Sequence, residues 1–73
     1  MATVRFTARF VEEPDGTDWA GVKESPGCFA SGHDFDGLKE TLVEAIRLCL
    51  PDGVELSEPS VERLGEARIL VTG

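Results

Sequence analysis

The sequence predicts an α+β domain with the element order β-β-β-α-β. Three observations predict it. Residues 3–11 alternate polar and apolar side chains, the pattern of a half-buried strand. Phe35, Leu38, Leu42, Ala45 or Ile46, and Cys49 recur at spacings of three and four, the stripe of an amphipathic helix. Between these segments glycine and proline cut the chain into strand-length pieces, and residues 67–72 alternate again after the helix.

The first strand runs from Thr3 to Val11, with Val4, Phe6, Ala8 and Phe10 on one face and Thr3, Arg5, Thr7, Arg9 and Val11 on the other. Glu13-Pro14-Asp15-Gly16 is a turn, proline presetting φ and glycine supplying a positive one. Asp18 to Glu24 returns as the second strand. Its large apolar groups, Trp19 and Val22, fall on opposite faces, so either a bulge near Gly21 or partial cover on both faces is expected. Ser25-Pro26-Gly27 ends that strand, and Cys28 to Ser31 is a short third one that Gly32 breaks.

Asp34 is the expected N-cap, its carboxylate accepting from N–H groups two or three residues on. Asp36 adds negative charge in the first turn, whereas Gly37 weakens the start by up to ~1 kcal/mol relative to Ala. The helix extends to Leu50; Pro51 stops it and Asp52-Gly53 makes the exit turn. Residues 54–65 read as a loop with a short turn of helix near Ser60–Leu64, because Pro59 and Gly65 break any long element. Ala67 to Thr72 is the last strand. A helical connection allows it to run parallel beside the first by a right-handed crossover. The expectation is a four-stranded mixed sheet of order 3-2-1-4, with the helix on one face and the other face open.

A chain of 73 residues makes a single domain, residues 1–73, with a thin core. Self-association as a homodimer or larger homo-oligomer is an expected remedy. Fourteen acids against seven bases give a net charge of −7, spread along the chain, which reads first as a solvated acidic surface and, functionally, as attraction for a basic partner. The bases form no run in the sequence, so direct nucleic-acid binding is not expected. Cys28 and Cys49 form no CxxC, and one His cannot complete a zinc tetrad within the chain. They read as two reduced, buried thiols of a cytoplasmic protein. Arg5 and Arg9 interrupt the N-terminal apolar run, so no signal peptide is expected, and no apolar run approaches the ~20 residues of a membrane span.

The reactive side chains do not assemble a catalytic pattern. A metal nuclease needs several converging carboxylates, and residues 3–11 contain none. Capping accounts for Asp34 and Asp36. Cys28 and His33 invite a thiol-imidazole pairing, but no third group orients the imidazole and Cys28 falls on a short buried strand. No enzymatic activity, cofactor or metal is therefore expected. Binding residues are more legible. Asp36, Glu40 and Glu44 repeat every four residues along the helix; like charges at that spacing cost a little stability. The stripe reads equally as a solvated face with local pairs to Lys39 and Arg47, and as a surface kept at that cost for a basic partner. Trp19 is expected in the core, and becomes an interface anchor if it is exposed.

Asp15-Gly16, Pro26-Gly27-Cys28, Gly32, the helix cap at Asp34, the helix to Leu50 and Glu58-Pro59-Ser60 occur in an order that resembles the HicB-like antitoxin family, over nearly the whole chain. The resemblance implies a partial ribonuclease-H-like fold without nuclease activity. It implies a small basic HicA-type ribonuclease toxin as partner, neutralised by covering its active site. Family members often carry a C-terminal DNA-binding segment; only Gly73 follows the last strand here, so operon repression by this chain alone is not expected. Asp34 stands where threonine is usual in the family, and Gly37 where glutamate is common. The competing expectation is a stand-alone homo-oligomeric domain that binds a small ligand or serves as a scaffold.

Overall fold

The computed structural model describes residues 4–51, 53–56 and 58–73. Thr3 and Asp52, assigned above to the first strand and the helix exit turn, lie outside the described residues. Five strands and one helix follow in the order β1 (Arg5–Glu12), β2 (Asp18–Val22), β3 (Phe29–Gly32), α1 (Phe35–Cys49), β4 (Ser60–Arg63) and β5 (Arg68–Thr72). The strands form one sheet of order β3-β2-β1-β5-β4, and every neighbouring pair is antiparallel.

This corrects the expected four-stranded mixed sheet of order 3-2-1-4. The difference lies in residues 60–63, expected to form a turn of helix. They form β4, which pairs Val61 with Val71 and Arg63 with Ile69. Val61 alone of the four is half-buried, so the segment has the period-two pattern of an edge strand. Gly65 is not a mere break. At φ +132° it takes a backbone conformation that suits glycine, and the Leu64 N–H donates to the Arg68 carbonyl at 2.8 Å to close a hairpin. That hairpin reverses the chain, so β5 reaches β1 antiparallel instead of parallel.

Elsewhere the local reading transfers. β1 buries Ala8 and Phe10 and exposes Arg5 and Arg9. No bulge interrupts β1 and β2, whose register runs unbroken from Ala8↔Val22 to Glu12↔Asp18. Trp19 and Val22 are reconciled by partial cover on both faces: Val22 is buried under the helix and Trp19 is half-buried on the other side. Asp34 caps α1, its Oδ1 accepting the Gly37 N–H at 2.7 Å. Gly37 has a positional reason there, because a Cβ would stand 3.1 Å from that same oxygen.

The core is one layer between sheet and helix. Leu38, Leu42 and Ile46 of α1 pack on Ala8, Phe10, Ala20, Val22, Ala30, Ile69 and Val71. Leu56, in the loop before β4, is also buried and anchors that loop. Small residues on the inner face of β1, β2 and β3 (Ala8, and Ala20 paired with Ala30) let the helix lie close over that half of the sheet. Phe10 and Phe35 meet edge to face at 5.7 Å, and the Arg63 guanidinium lies 4.5 Å from the Phe10 ring centre, capping this end of the core. Arg63 also pairs with Glu12 at 3.5 Å. Among the described residues, no helix is long and apolar enough to cross a membrane.

Candidate functional site

The motif residues form a structural frame. Asp15 and Gly16 make the β1–β2 turn, where Asp15 Oδ1 accepts the Thr17 N–H at 2.9 Å. The Thr17 backbone N–H first, and its hydroxyl second, hold the Asp15 carboxyl below its ordinary value. Pro26 and Gly27 make the β2–β3 turn, with Gly27 at φ +93° and the Cys28 N–H donating to the Ser25 carbonyl at 3.0 Å. Gly32 ends β3 where the chain passes the first turn of α1. A Cβ on it would stand 2.8 Å from the Leu38 backbone nitrogen. Pro59 precedes β4 and lies at the rim of the groove described below.

The two cysteines differ. Cys28 is buried and Cys49 is exposed, which corrects the expectation of two buried thiols; the helix ends with Cys49 turned to solvent. The Cys28 Sγ donates to the Ala45 carbonyl at 3.3 Å. Burial pushes its thiol up to about 11, and the neighbouring Cys49 adds to the shift. A thiol held that way is a poor nucleophile at neutral pH. His33 is exposed and lies near Asp15, to whose lowering it contributes least. Among the described residues, no three His, Cys, Asp or Glu side chains gather closely enough to hold a metal ion.

The structure separates the four candidate partner-binding residues into two places. Asp36, Glu40 and Glu44 lie exposed on α1. Trp19 is on the opposite face of the sheet, half-buried, its Nε1 donating to Glu13 Oε1 at 2.7 Å. That bond ties Trp19 to the β1–β2 turn.

The helix packs over β3 and β2, so it leaves a groove between itself and β4. The groove encloses about 440 Å³, and Lys39, Glu40, Val43, Glu44, Arg47, Pro59 and Val61 line it. Val43 and Val61 are half-buried and supply an apolar floor. The charges along the groove are unequally committed. Lys39 pairs with Asp36 at 3.2 Å, and Arg47 donates to the Leu56 carbonyl at 3.2 Å. Glu40, Glu44 and Arg47 have no ion pair among the described residues, so Arg47 keeps its positive charge at one end of the groove beside the two carboxylates. The groove therefore presents two uncommitted carboxylates above an apolar floor, a surface suited to a cationic side chain with an apolar stem. Helical periodicity made the acidic stripe visible in the sequence; Val61 and Pro59 as its facing wall were not, because residues 60–63 did not read as a strand.

No family model, no curated protein and no solved structure matches the chain.

Proposed function

We propose that this chain is a non-catalytic, HicB-like antitoxin-type module that binds a small basic HicA-type ribonuclease toxin and covers its active site. The observation that carries the reading is the groove between α1 and β4, with Glu40 and Glu44 uncommitted above Val43 and Val61. The ordered motif set supports it: Asp15-Gly16, Pro26-Gly27-Cys28, Gly32 and the Asp34 cap all serve the three-strand-and-helix frame that positions this groove. The net charge of −7 adds long-range attraction for a basic protein. The partial ribonuclease-H-like fold and a cytoplasmic location belong to this same proposal.

The test is co-expression with a small basic HicA-type ribonuclease, followed by pull-down and an RNA-cleavage assay. A stable complex that no longer cleaves RNA supports the proposal. The double charge reversal Glu40→Lys with Glu44→Lys should release the toxin while the domain keeps its circular dichroism. Cleavage that continues at full rate with excess chain sinks the proposal.

Homo-oligomerisation is a second reading with its own observation. β3 and β4, four residues each, are the two edges of the sheet, and Phe29 at the β3 edge is 68% exposed. Light scattering at several concentrations decides it; a strict monomer throughout would remove it.

A further inference from the structure

The open face of the sheet has a character that the net charge conceals. The register places Arg5, Arg9 and Arg68 on the face away from the helix, and Lys23, just past β2, falls in line with them. Four of the chain's seven bases thus share one surface of an acidic protein. Three of them, Arg9, Lys23 and Arg68, ring a basin of about 560 Å³ whose lining also includes Thr7, Ala8 and Gly21.

Two features of this basin have no account in the packing of the fold. The first is the direct pairing of Arg9 with Arg68 across β1 and β5. Like charges opposite one another weaken a sheet. The hydrogen bonds of the ladder make the effect stronger here. Phe10 N–H donates to the Ala67 carbonyl, so the adjoining Arg9–Arg68 pair is of the non-hydrogen-bonded kind, in which side chains approach more closely. Neither arginine has an ion pair among the described residues.

The second is Gly21, which sits in β2 directly opposite Arg9. Its φ is not positive, and a Cβ built there would meet only the Trp19 ring edge, at an ordinary 3.7 Å. Neither backbone nor packing requires glycine, yet glycine inside a strand weakens it. A bare backbone in mid-strand is what the close approach of a ligand requires.

We propose that this basin is a binding site for the phosphate group of a small phosphorylated molecule, seated over Gly21 and held by Arg9, Arg68 and Lys23. Arginine pairs suit phosphate because each guanidinium offers a planar fork of donors. The volume falls within the range of small-ligand sites. Two acids stand at its margins: Glu24, which accepts the Thr7 N–H at 2.8 Å, and Glu62, opposite Leu70 on β4; neither forms an ion pair with Arg9, Lys23 or Arg68 among the described residues. A small ligand is favoured over a nucleic acid because a net charge of −7 repels a long polyanion while a single phosphate feels mainly the local cations. The site lies on the opposite side of the sheet from the acidic groove and does not depend on the antitoxin reading.

The experiment titrates the 15N-labelled full chain with sodium pyrophosphate, adenosine monophosphate and single-stranded oligothymidylate, each at constant physiological ionic strength. Saturable amide shifts centred on Arg9, Gly21, Lys23 and Arg68 with the first two are expected. The double variant Arg9→Gln with Arg68→Gln should lose about tenfold or more in affinity. Its melting temperature should hold or rise, since it removes a like-charge pair. Gly21→Val, which fills the floor, should also abolish binding. Should Gly21→Val unfold the domain, the arginine variant still decides. Shifts that never saturate, or that affect Arg47 and Arg63 equally, overturn the site. Unchanged affinity in the arginine variant does the same. Oligothymidylate binding tighter than adenosine monophosphate would overturn the choice of a small ligand.

Discussion

Replacing Gly32 with alanine tests whether the stretch from Pro26 to Asp36 is a structural junction. In an ordinary strand position the change would help, because alanine loses less conformational freedom on folding, by roughly 0.5–1 kcal/mol. Gly32 is not ordinary. An added Cβ would stand 2.8 Å from the Leu38 nitrogen, 3.1 Å from the Leu38 Cα and 3.2 Å from the Gly37 carbonyl carbon. All three are backbone atoms of the first turns of α1, and none can swing aside as a side chain end does. The helix must shift bodily, and Leu38, fully buried, must shift with it. Overpacking of this kind costs about 1–3 kcal/mol. Stability for a domain of this length is about 0.05–0.15 kcal/mol per residue, so the loss is a large part of the total. Urea unfolding followed by circular dichroism reads the effect, with a melting-temperature drop of about 4–8 °C for each kcal/mol as a cross-check. Gly21→Ala is the paired control, with only an ordinary contact ahead of its Cβ, and should be neutral or stabilising. If Gly32→Ala matches or exceeds the parent in stability, the close passage of β3 against α1 is wrong.

Four further predictions concern the cap, the thiols and the acidic stripe. Asp34→Ala removes the acceptor of the Gly37 N–H and should cost about 1 kcal/mol by urea unfolding; Asp34→Asn should recover most of it. An aromatic disulfide reagent at pH 7.5 should label Cys49 within the mixing phase and Cys28 only as the domain opens, so two equal fast phases would contradict the burial of Cys28. Because the Cys28 thiol is raised from 9.0 to about 11, its contribution to stability is constant below pH 9. Above that, the unfolded chain ionises first, so stability falls between pH 9 and 11; Cys28→Ala should remove this alkaline loss. Glu40→Gln removes the like-charge neighbour of both Asp36 and Glu44 and should raise stability to urea by about a few tenths of a kcal/mol, while weakening the binding of a basic partner.

Local features of this chain were legible wherever short-range chemistry decides. Asp34 reads as a cap because a carboxylate before an apolar stripe has one good use, and it caps α1 as expected. Leu38, Leu42 and Ile46 read as core from their spacing and are all buried. Cys49 continues the same stripe by spacing yet is exposed, because it is the last helical residue and the core no longer lies beneath it. β4 was missed because a four-residue edge strand shows only one inward side chain, Val61, beside a proline and a glycine that usually signal loops. That one omission reversed the direction of β5 and hid the wall of the acidic groove. The basic face was invisible for a different reason. Arg9 and Arg68 are far apart in sequence, and only the pairing of β1 with β5 sets them side by side. The sequence contains no basic run, but the fold assembles a basic surface.

The proposed function places a basic protein in the groove between α1 and β4. Hydrogen–deuterium exchange of the chain, alone and mixed with a small basic HicA-type ribonuclease, tests that placement. New protection is expected on α1 from Asp36 to Arg47 and on Pro59 to Val61, with the open face around Gly21 unchanged. Protection confined to that open face, or none at all when the basic protein is in excess, would contradict it.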